Sequence, residues 1–108
     1  MRKQREFQAA LQRGRRWATP LLVLRALPTG GQVTRFGLSV GRGVGNAVVR
    51  NRLKRRLREL VRRTLVREGY DLVLIARPQA RDASFQQLQQ TWEELLKRAG
   101  LTPPTLNA

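Results

Sequence analysis

The residues best suited to chemistry in this sequence are basic side chains that form a dense row near the middle of the chain. This row contains Arg50, Lys54, Arg58 and Arg62 at intervals of four. In a helix such residues lie nearly above one another, and like charges at this spacing each cost a few tenths of a kcal/mol. Glu59 is the one acidic group within the row, so most of this repulsion is left uncompensated. Bound phosphates would replace the repulsion with attraction. The row therefore predicts binding to RNA or DNA.

The charge of the whole chain supports the same interpretation. Its 108 residues include 22 Lys and Arg, 7 Asp and Glu and no His, for a formal net charge of +15. Nineteen of the basic residues are Arg, whose planar fork holds phosphate bidentately and stacks on bases. Residues 42–67 contain ten basic groups against one acidic group, whereas residues 68–108 contain four against five. A nucleic acid is the favoured partner, and a solvated or heat-adapted surface is the alternative.

Missing residue types limit the chemistry of the protein itself. The sequence has no Cys and no His, which excludes a disulfide framework, a thiol nucleophile, thiolate zinc sites and an imidazole base. Residues 41–45 follow the pattern Gly-x-Gly-x-Gly, and no Gly-Lys-Ser/Thr follows as in a P-loop. No stretch of about 20 apolar residues is present to span a membrane. We expect a cytoplasmic protein with neither a membrane partner nor a small-molecule substrate.

Hydrophobic periodicity predicts the elements that precede the basic row. A short amphipathic helix is expected at residues 4–13. Two strands, at residues 21–24 and 33–40, are expected to run antiparallel across the turn at residues 28–31.

The second of these strands is predicted to have one buried and one wet face. Phe36, Leu38 and Val40 alternate with polar or small residues, as in a half-buried strand. Arg35 and Ser39 are therefore expected to point away from the core.

The basic row itself lies on the longest predicted helix, which is expected to end at Gly69. One side of this helix is apolar at about 100° per residue. It comprises Val49, Leu53, Leu57, Leu60, Val61 and Thr64. Arg50 and Lys54 lie at the margin of this side, where the aliphatic parts of their side chains could cover apolar surface.

A strand and a final helix complete the prediction. The strand is expected at residues 71–76, and the helix is capped by Asp82 or Ser84. This order of elements argues for an α+β sandwich with a single sheet. We predict one domain over residues 1–100 and a flexible tail over residues 101–108.

Two ordered motifs resemble a known family. Residues 35–40 read RFGLSV and residues 45–55 read GNAVVRNRLKR, which is similar to the signature of the protein subunit of bacterial ribonuclease P, centred on its Arg-Asn-Arg motif. The amino-terminal helix, the strand at residues 69–77 and the final helix extend the resemblance over residues 3–99.

The resemblance implies both a fold and a function. The fold is a two-layer α/β sandwich of α+β class with a single four-stranded sheet and a left-handed βαβ crossover, called ribosomal protein S5 domain 2-like. The implied function is to bind a catalytic RNA subunit and to help it remove the 5′ leader from precursor tRNA. Catalysis then belongs to the RNA and its magnesium ions, so no catalytic residue and no protein-bound cofactor are expected, and a metal site on the protein is left unassigned.

The resemblance, together with the basic row, assigns one set of residues to the RNA subunit. That set is Arg42, Arg50, Asn51, Arg52, Lys54, Arg55, Arg58 and Arg62.

A second set is predicted to bind the leader. Phe7 is similar to an aromatic residue of the family's central cleft, although a place in the core is an equal alternative. Leu11 stands where many relatives have a second aromatic residue, and Trp17 could compensate or could serve packing alone. Arg35 and Ser39 complete this set.

Two other functions stay open at this point. Small basic α/β sandwiches also serve as ribosomal or other structural RNA binders, which selectivity for leader-bearing tRNA would distinguish. A nuclease that acts alone would cleave precursor tRNA without any RNA subunit.

Overall fold

A computed structural model describes residues 4–103. In this range the chain forms α1 (Gln4–Arg13), β1 (Arg15–Ala18), β2 (Leu22–Pro28), β3 (Arg35–Val40), α2 (Ala47–Arg62), β4 (Tyr70–Ala76) and α3 (Phe85–Ala99). Short 3-10 helices at Arg42–Val44 and Pro78–Asp82 precede α2 and α3. The α+β class with one four-stranded sheet is confirmed. None of the helices in residues 4–103 is long and apolar enough to cross a bilayer.

The sheet has the strand order β1-β2-β4-β3. Strand β4 is antiparallel to β2 and parallel to β3, so it separates the two strands that the sequence predicts as an antiparallel pair. That pairing is wrong. Because Leu72, Val73 and Leu74 are all buried, β4 suits the centre of the sheet, where both faces are covered. The path from β3 through α2 to β4 is a βαβ crossover, and its left-handed sense stays a prediction.

Several element boundaries also differ from the sequence prediction. Strand β1 has no predicted counterpart, because its four residues Arg-Arg-Trp-Ala show no clear alternation and pairing with β2 defines it. Strand β3 begins at Arg35, and Val33 is exposed. Helix α2 ends at Arg62 rather than at Gly69. Leu101, predicted as part of the tail, is buried and accepts a hydrogen bond from the Arg67 N–H, whereas residues 104–108 lie outside the described range.

Helices α2 and α3 pack over one face of the sheet. Trp92 of α3 is fully buried in this core, and its Nε1 donates to the Thr64 hydroxyl at 3.0 Å. The Thr64 hydroxyl in turn donates to the Leu60 carbonyl at 2.6 Å, which joins the end of α2 to α3. Ser84, rather than Asp82, caps α3, with Gln87 completing a capping box.

Helix α1 covers part of the opposite face of the sheet, over β2 and β4. Val23 and Val73, which alternate with the core-facing residues of their strands, are buried. Both faces of the two central strands, β2 and β4, are therefore covered.

The passage from α1 to β1 depends on the small size of Gly14. A Cβ atom at this position would lie 2.5 Å from the Ala10 carbonyl oxygen and 3.1 Å from backbone atoms of Ala26. Only a residue without a side chain lets the end of α1 approach the backbone of β2 so closely.

We expect Gly14→Ala to lower the free energy of unfolding by about 1–3 kcal/mol, because backbone atoms must move to admit the methyl group. Urea denaturation would measure the change. Gly41→Ala is the matched control, since apart from its chain neighbours no atom lies within 4 Å of the place that its Cβ would occupy. Equal stability of the two variants would contradict this account of the α1–β1 junction.

Candidate nucleic-acid interface

Helix α2 is fixed by its cap and by its apolar side. The Asn46 Oδ1 accepts a hydrogen bond from the Val49 N–H at 3.0 Å, which closes the first turn. Leu53, Leu57 and Leu60 are buried beneath the helix. The polar residues on its other sides are therefore held toward solvent in a fixed order.

These polar residues form a continuous surface, which we call the α2 basic face. It comprises exposed Asn51, Arg52, Arg55 and Arg58 and half-buried Arg50 and Lys54. The prediction that Arg50 and Lys54 lie at the margin of the apolar side is confirmed. Arg42 is exposed on the 3-10 helix that leads into α2.

The charge of the α2 basic face is not neutralised within the described part of the chain. Glu59 pairs with Arg62 at 2.5 Å and with Arg63 at 2.9 Å. Among residues 4–103, no carboxylate forms a salt bridge with any cationic residue of the face itself. Arg62, which the sequence assigns to the same set, is thus partly compensated, and the face keeps its full positive charge.

A cleft of about 500 Å³ adjoins the α2 basic face. Its lining consists of Phe7, Phe36, Gly37, Leu38, Lys54, Arg58, Val61 and Arg62. Strand β3 is the edge of the sheet, so the cleft lies at this edge, between α1 and α2. It combines aromatic and aliphatic walls with three cationic side chains.

Phe7 is half-buried and lines this cleft, so its side chain is within reach of a ligand. Phe36 makes an edge-to-face contact with Trp92, with ring centroids 6.4 Å apart. Strand alternation predicts Phe36 and Leu38 as core residues alone. Their place on an edge strand, which the topology decides, is what opens them to the cleft.

Arg35 lies in a cluster of ion pairs with Glu6 and Asp71, which we call the Arg35 cluster. Its Nε and Nη2 each donate to the Asp71 carboxylate at 2.8 Å, and its Nη1 lies 2.7 Å from Glu6 Oε1. The hydrogen bonds that Arg35 donates, to Asp71 first and to Glu6 second, raise the pKa of Arg35. Because all three guanidinium nitrogens are engaged, Arg35 ties α1 to β3 and β4, while its contact with the leader stays a prediction.

The other predicted leader residues do not line the cleft. The Leu11 carbonyl accepts a hydrogen bond from the Arg25 guanidinium, and Leu11 and Ser39 are half-buried outside the cleft lining. Trp17 lies on β1, at the opposite edge of the sheet. Two strands separate Trp17 from β3, so Trp17 does not share the cleft with Phe7.

Known proteins resemble this chain in both sequence and fold. A family model of ribonuclease P matches residues 1–100. The ribonuclease P protein component of Symbiobacterium thermophilum is 49% identical over 98 residues, which cover 88% of this chain and 85% of that protein. The Staphylococcus aureus RNase P protein superposes with a TM-score of 0.84 at 31% identity, over 95% of this chain and 96% of that one. A mutant of the Staphylococcus aureus protein with defective mRNA degradation activity gives a TM-score of 0.83 at 32% identity, over 94% of this chain and 87% of that one.

A small α+β fold with an uncompensated row of arginines beside an aromatic cleft is typical of proteins that bind RNA. The family match over most of the chain then gives the particular identity. This chain belongs to the ribonuclease P protein family. The resemblance based on the two sequence motifs is confirmed.

We expect Glu6→Gln to loosen α1 from the sheet, because the amide cannot replace the charged bond to Arg35. Hydrogen exchange of α1 amides should become faster, while exchange in α2 and α3 stays unchanged. Glu94→Gln, at an exposed position on α3, is the control. The role of the Arg35 cluster would be refuted by identical α1 exchange in the two variants.

Proposed function

We propose that this chain is the protein component of a ribonuclease P ribonucleoprotein. In this proposal it binds the catalytic RNA subunit through the α2 basic face and binds the 5′ leader of precursor tRNA in the cleft. Its task is to increase the affinity of the holoenzyme for precursor over mature tRNA. The RNA subunit supplies the catalytic groups for endonucleolytic removal of the leader, which takes place in the cytoplasm.

The observation that carries the proposal is the junction of two surfaces on one helix. Lys54, Arg58 and Arg62 line the cleft, and Arg52 and Arg55 extend the charge to an exposed part of α2. A single-stranded leader suits the cleft, because bases stack on Phe7 whatever their sequence while the cationic side chains follow the backbone. The exposed arginines suit the phosphates of a folded RNA.

Magnesium belongs, in this proposal, to the RNA-based holoenzyme. Among residues 4–103, no three His, Cys, Asp or Glu side chains are grouped so that they could hold a metal ion. The residues of the chain bind and orient RNA.

The mRNA degradation named for the Staphylococcus aureus protein favours one second candidate, cleavage of RNA by the protein alone. Purified protein that cleaved RNA without the RNA subunit would support it. A reconstituted mixture that removes the leader at low magnesium, with neither component active alone under these conditions, would support the proposed function instead.

We expect Phe7→Ala to weaken binding of leader-bearing precursor tRNA by the holoenzyme while leaving mature tRNA binding nearly unchanged. The loss should be about 1–3 kcal/mol for each base that stacks on the ring. Affinities for the two tRNAs, measured with the reconstituted holoenzyme, give the ratio directly.

Phe85→Ala is the control for this prediction, because Phe85 is also half-buried but lies outside the cleft, where the Arg63 guanidinium contacts its ring. If Phe7→Ala lowered the affinity for both tRNAs equally, Phe7 would have a structural role and not a leader-binding one.

We expect Arg52→Ala and Arg55→Ala to weaken binding of the RNA subunit and to make its salt dependence shallower. Each lost phosphate contact should change the slope of log K against log salt by about one unit or less. Filter binding over a salt series measures the slope. Arg67→Ala is the control, since Arg67 is exposed on the loop that follows α2. Slopes equal to that of the wild-type chain in both α2 variants would contradict the assignment.

A further inference from the structure

A second positive surface lies at the sheet edge opposite the cleft. It is formed where the end of α1, strand β1 and the end of α3 meet. We call it the β1-edge surface, and it comprises Arg13, Arg15, Arg16, Trp17 and Arg98. Within residues 4–103, strand β1 pairs with β2 alone, so no described strand covers its outer side. The Arg98 Nη1 donates to the Ala18 carbonyl at 3.3 Å, which brings the charge of α3 to this strand.

The positive charge of the β1-edge surface is uncompensated in residues 4–103. All four of its arginines are exposed, and none forms a salt bridge with a described carboxylate. On α3, Glu93 and Glu94 are exposed and outside salt-bridge distance of these groups, and Glu93 accepts a hydrogen bond from Gln89 at 3.3 Å. Arg35 differs, because each of its guanidinium nitrogens contacts a carboxylate. The charge of the β1-edge surface is therefore available to a ligand.

An aromatic ring adds a second kind of contact. The Arg15 guanidinium carbon lies 5.1 Å from the centroid of the Trp17 ring, and Trp17 is half-buried. A guanidinium stacked on an indole offers a flat platform for an unpaired base, and the remaining N–H groups of the fork can hold a phosphate.

Charged residues on an edge strand can also serve to prevent pairing with another sheet. That role requires charge on the strand itself. Here Arg13 and Arg98 add charge from two other elements, and Arg15 is laid against an aromatic ring. These additional features match a polyanion that carries bases.

We propose that the β1-edge surface is a second RNA-binding surface, which holds an unpaired segment of the RNA subunit. This inference rests on the proposed function. Three strand spacings, about 14 Å, separate β1 from β3, so nucleotides of a leader in the cleft are not the ones held at β1. The chain then bridges two RNA segments across its sheet.

The test measures binding of the RNA subunit alone to Arg15→Gln and Arg16→Gln over a salt series. Each variant should make the slope of log K against log salt shallower by about 0.7 for one lost single-strand phosphate contact. Arg67→Gln is the matched control, and Arg52→Ala marks the response of the α2 basic face.

The outcomes separate this inference from the proposed function. A wild-type chain that fails to bind the RNA subunit overturns both. If the wild-type chain binds and Arg52→Ala lowers the slope, but Arg15→Gln and Arg16→Gln behave like Arg67→Gln, only the second surface is overturned. It is also overturned if the variants form dimers in sedimentation with an unchanged slope, or if they lose affinity only in the presence of precursor tRNA.

Tryptophan fluorescence gives a measurement that needs no arginine variant. Trp92 is fully buried, so acrylamide quenching reports mainly on Trp17. Saturating RNA subunit should reduce this quenching in the wild-type chain and leave the residual signal of Trp17→Phe unaffected. Unchanged acrylamide access to Trp17 at saturation would overturn the stacking platform.

Discussion

The interaction on which the structure depends is the repulsion between the cationic side chains of the α2 basic face. Helix α2 holds these side chains in fixed positions, and its own residues do not neutralise their charge. The buried side of the helix, with Leu53, Leu57 and Leu60, anchors it to the sheet and prevents the arginines from moving apart. Glu59 compensates the end of the helix only, through Arg62 and Arg63. The α2 basic face is therefore a surface whose charge a bound polyanion would neutralise, and burial of the apolar side of α2 fixes the position of that surface.

The arrangement of the sheet turns this charge into a site of defined shape. Because β4 occupies the centre, β3 becomes an edge, and its residues Phe36 and Leu38 border a cleft instead of an enclosed core. The Arg35 cluster joins this edge to α1 through Glu6 and Asp71. Phe7 is thereby held on the side of the cleft opposite α2. Local helix propensity alone does not determine this position.

Sequence patterns are sufficient for the features that depend on local periodicity. The helix at residues 4–13 and the apolar side of α2 follow from spacing within one element, whereas spacing leaves both Asp82 and Ser84 open as the cap of α3 and the structure decides for Ser84. The strand order cannot be predicted in this way, since pairing of β3 with β4 depends on the crossover through α2, and adjacency in sequence favours the wrong neighbour.

The same distinction between local spacing and strand order applies to the site residues. The α2 basic face depends on helical spacing and is predictable, including the margin positions Arg50 and Lys54. The engagement of Arg35 is not, although the acidic Asp71 in an otherwise apolar strand is a signal that some cation must lie opposite it. The distance of Trp17 from the cleft depends wholly on strand order. Local sequence therefore determines the composition of each surface, and topology decides which surfaces meet.

The most direct test of this account is the salt dependence of wild-type binding to its catalytic RNA. With the α2 basic face docked, the slope of log K against log salt should be about −3.5 or steeper, as expected when five cations release counterions from phosphates. A slope near zero would mean that the uncompensated charge of α2 does not meet phosphate. That result would contradict the account.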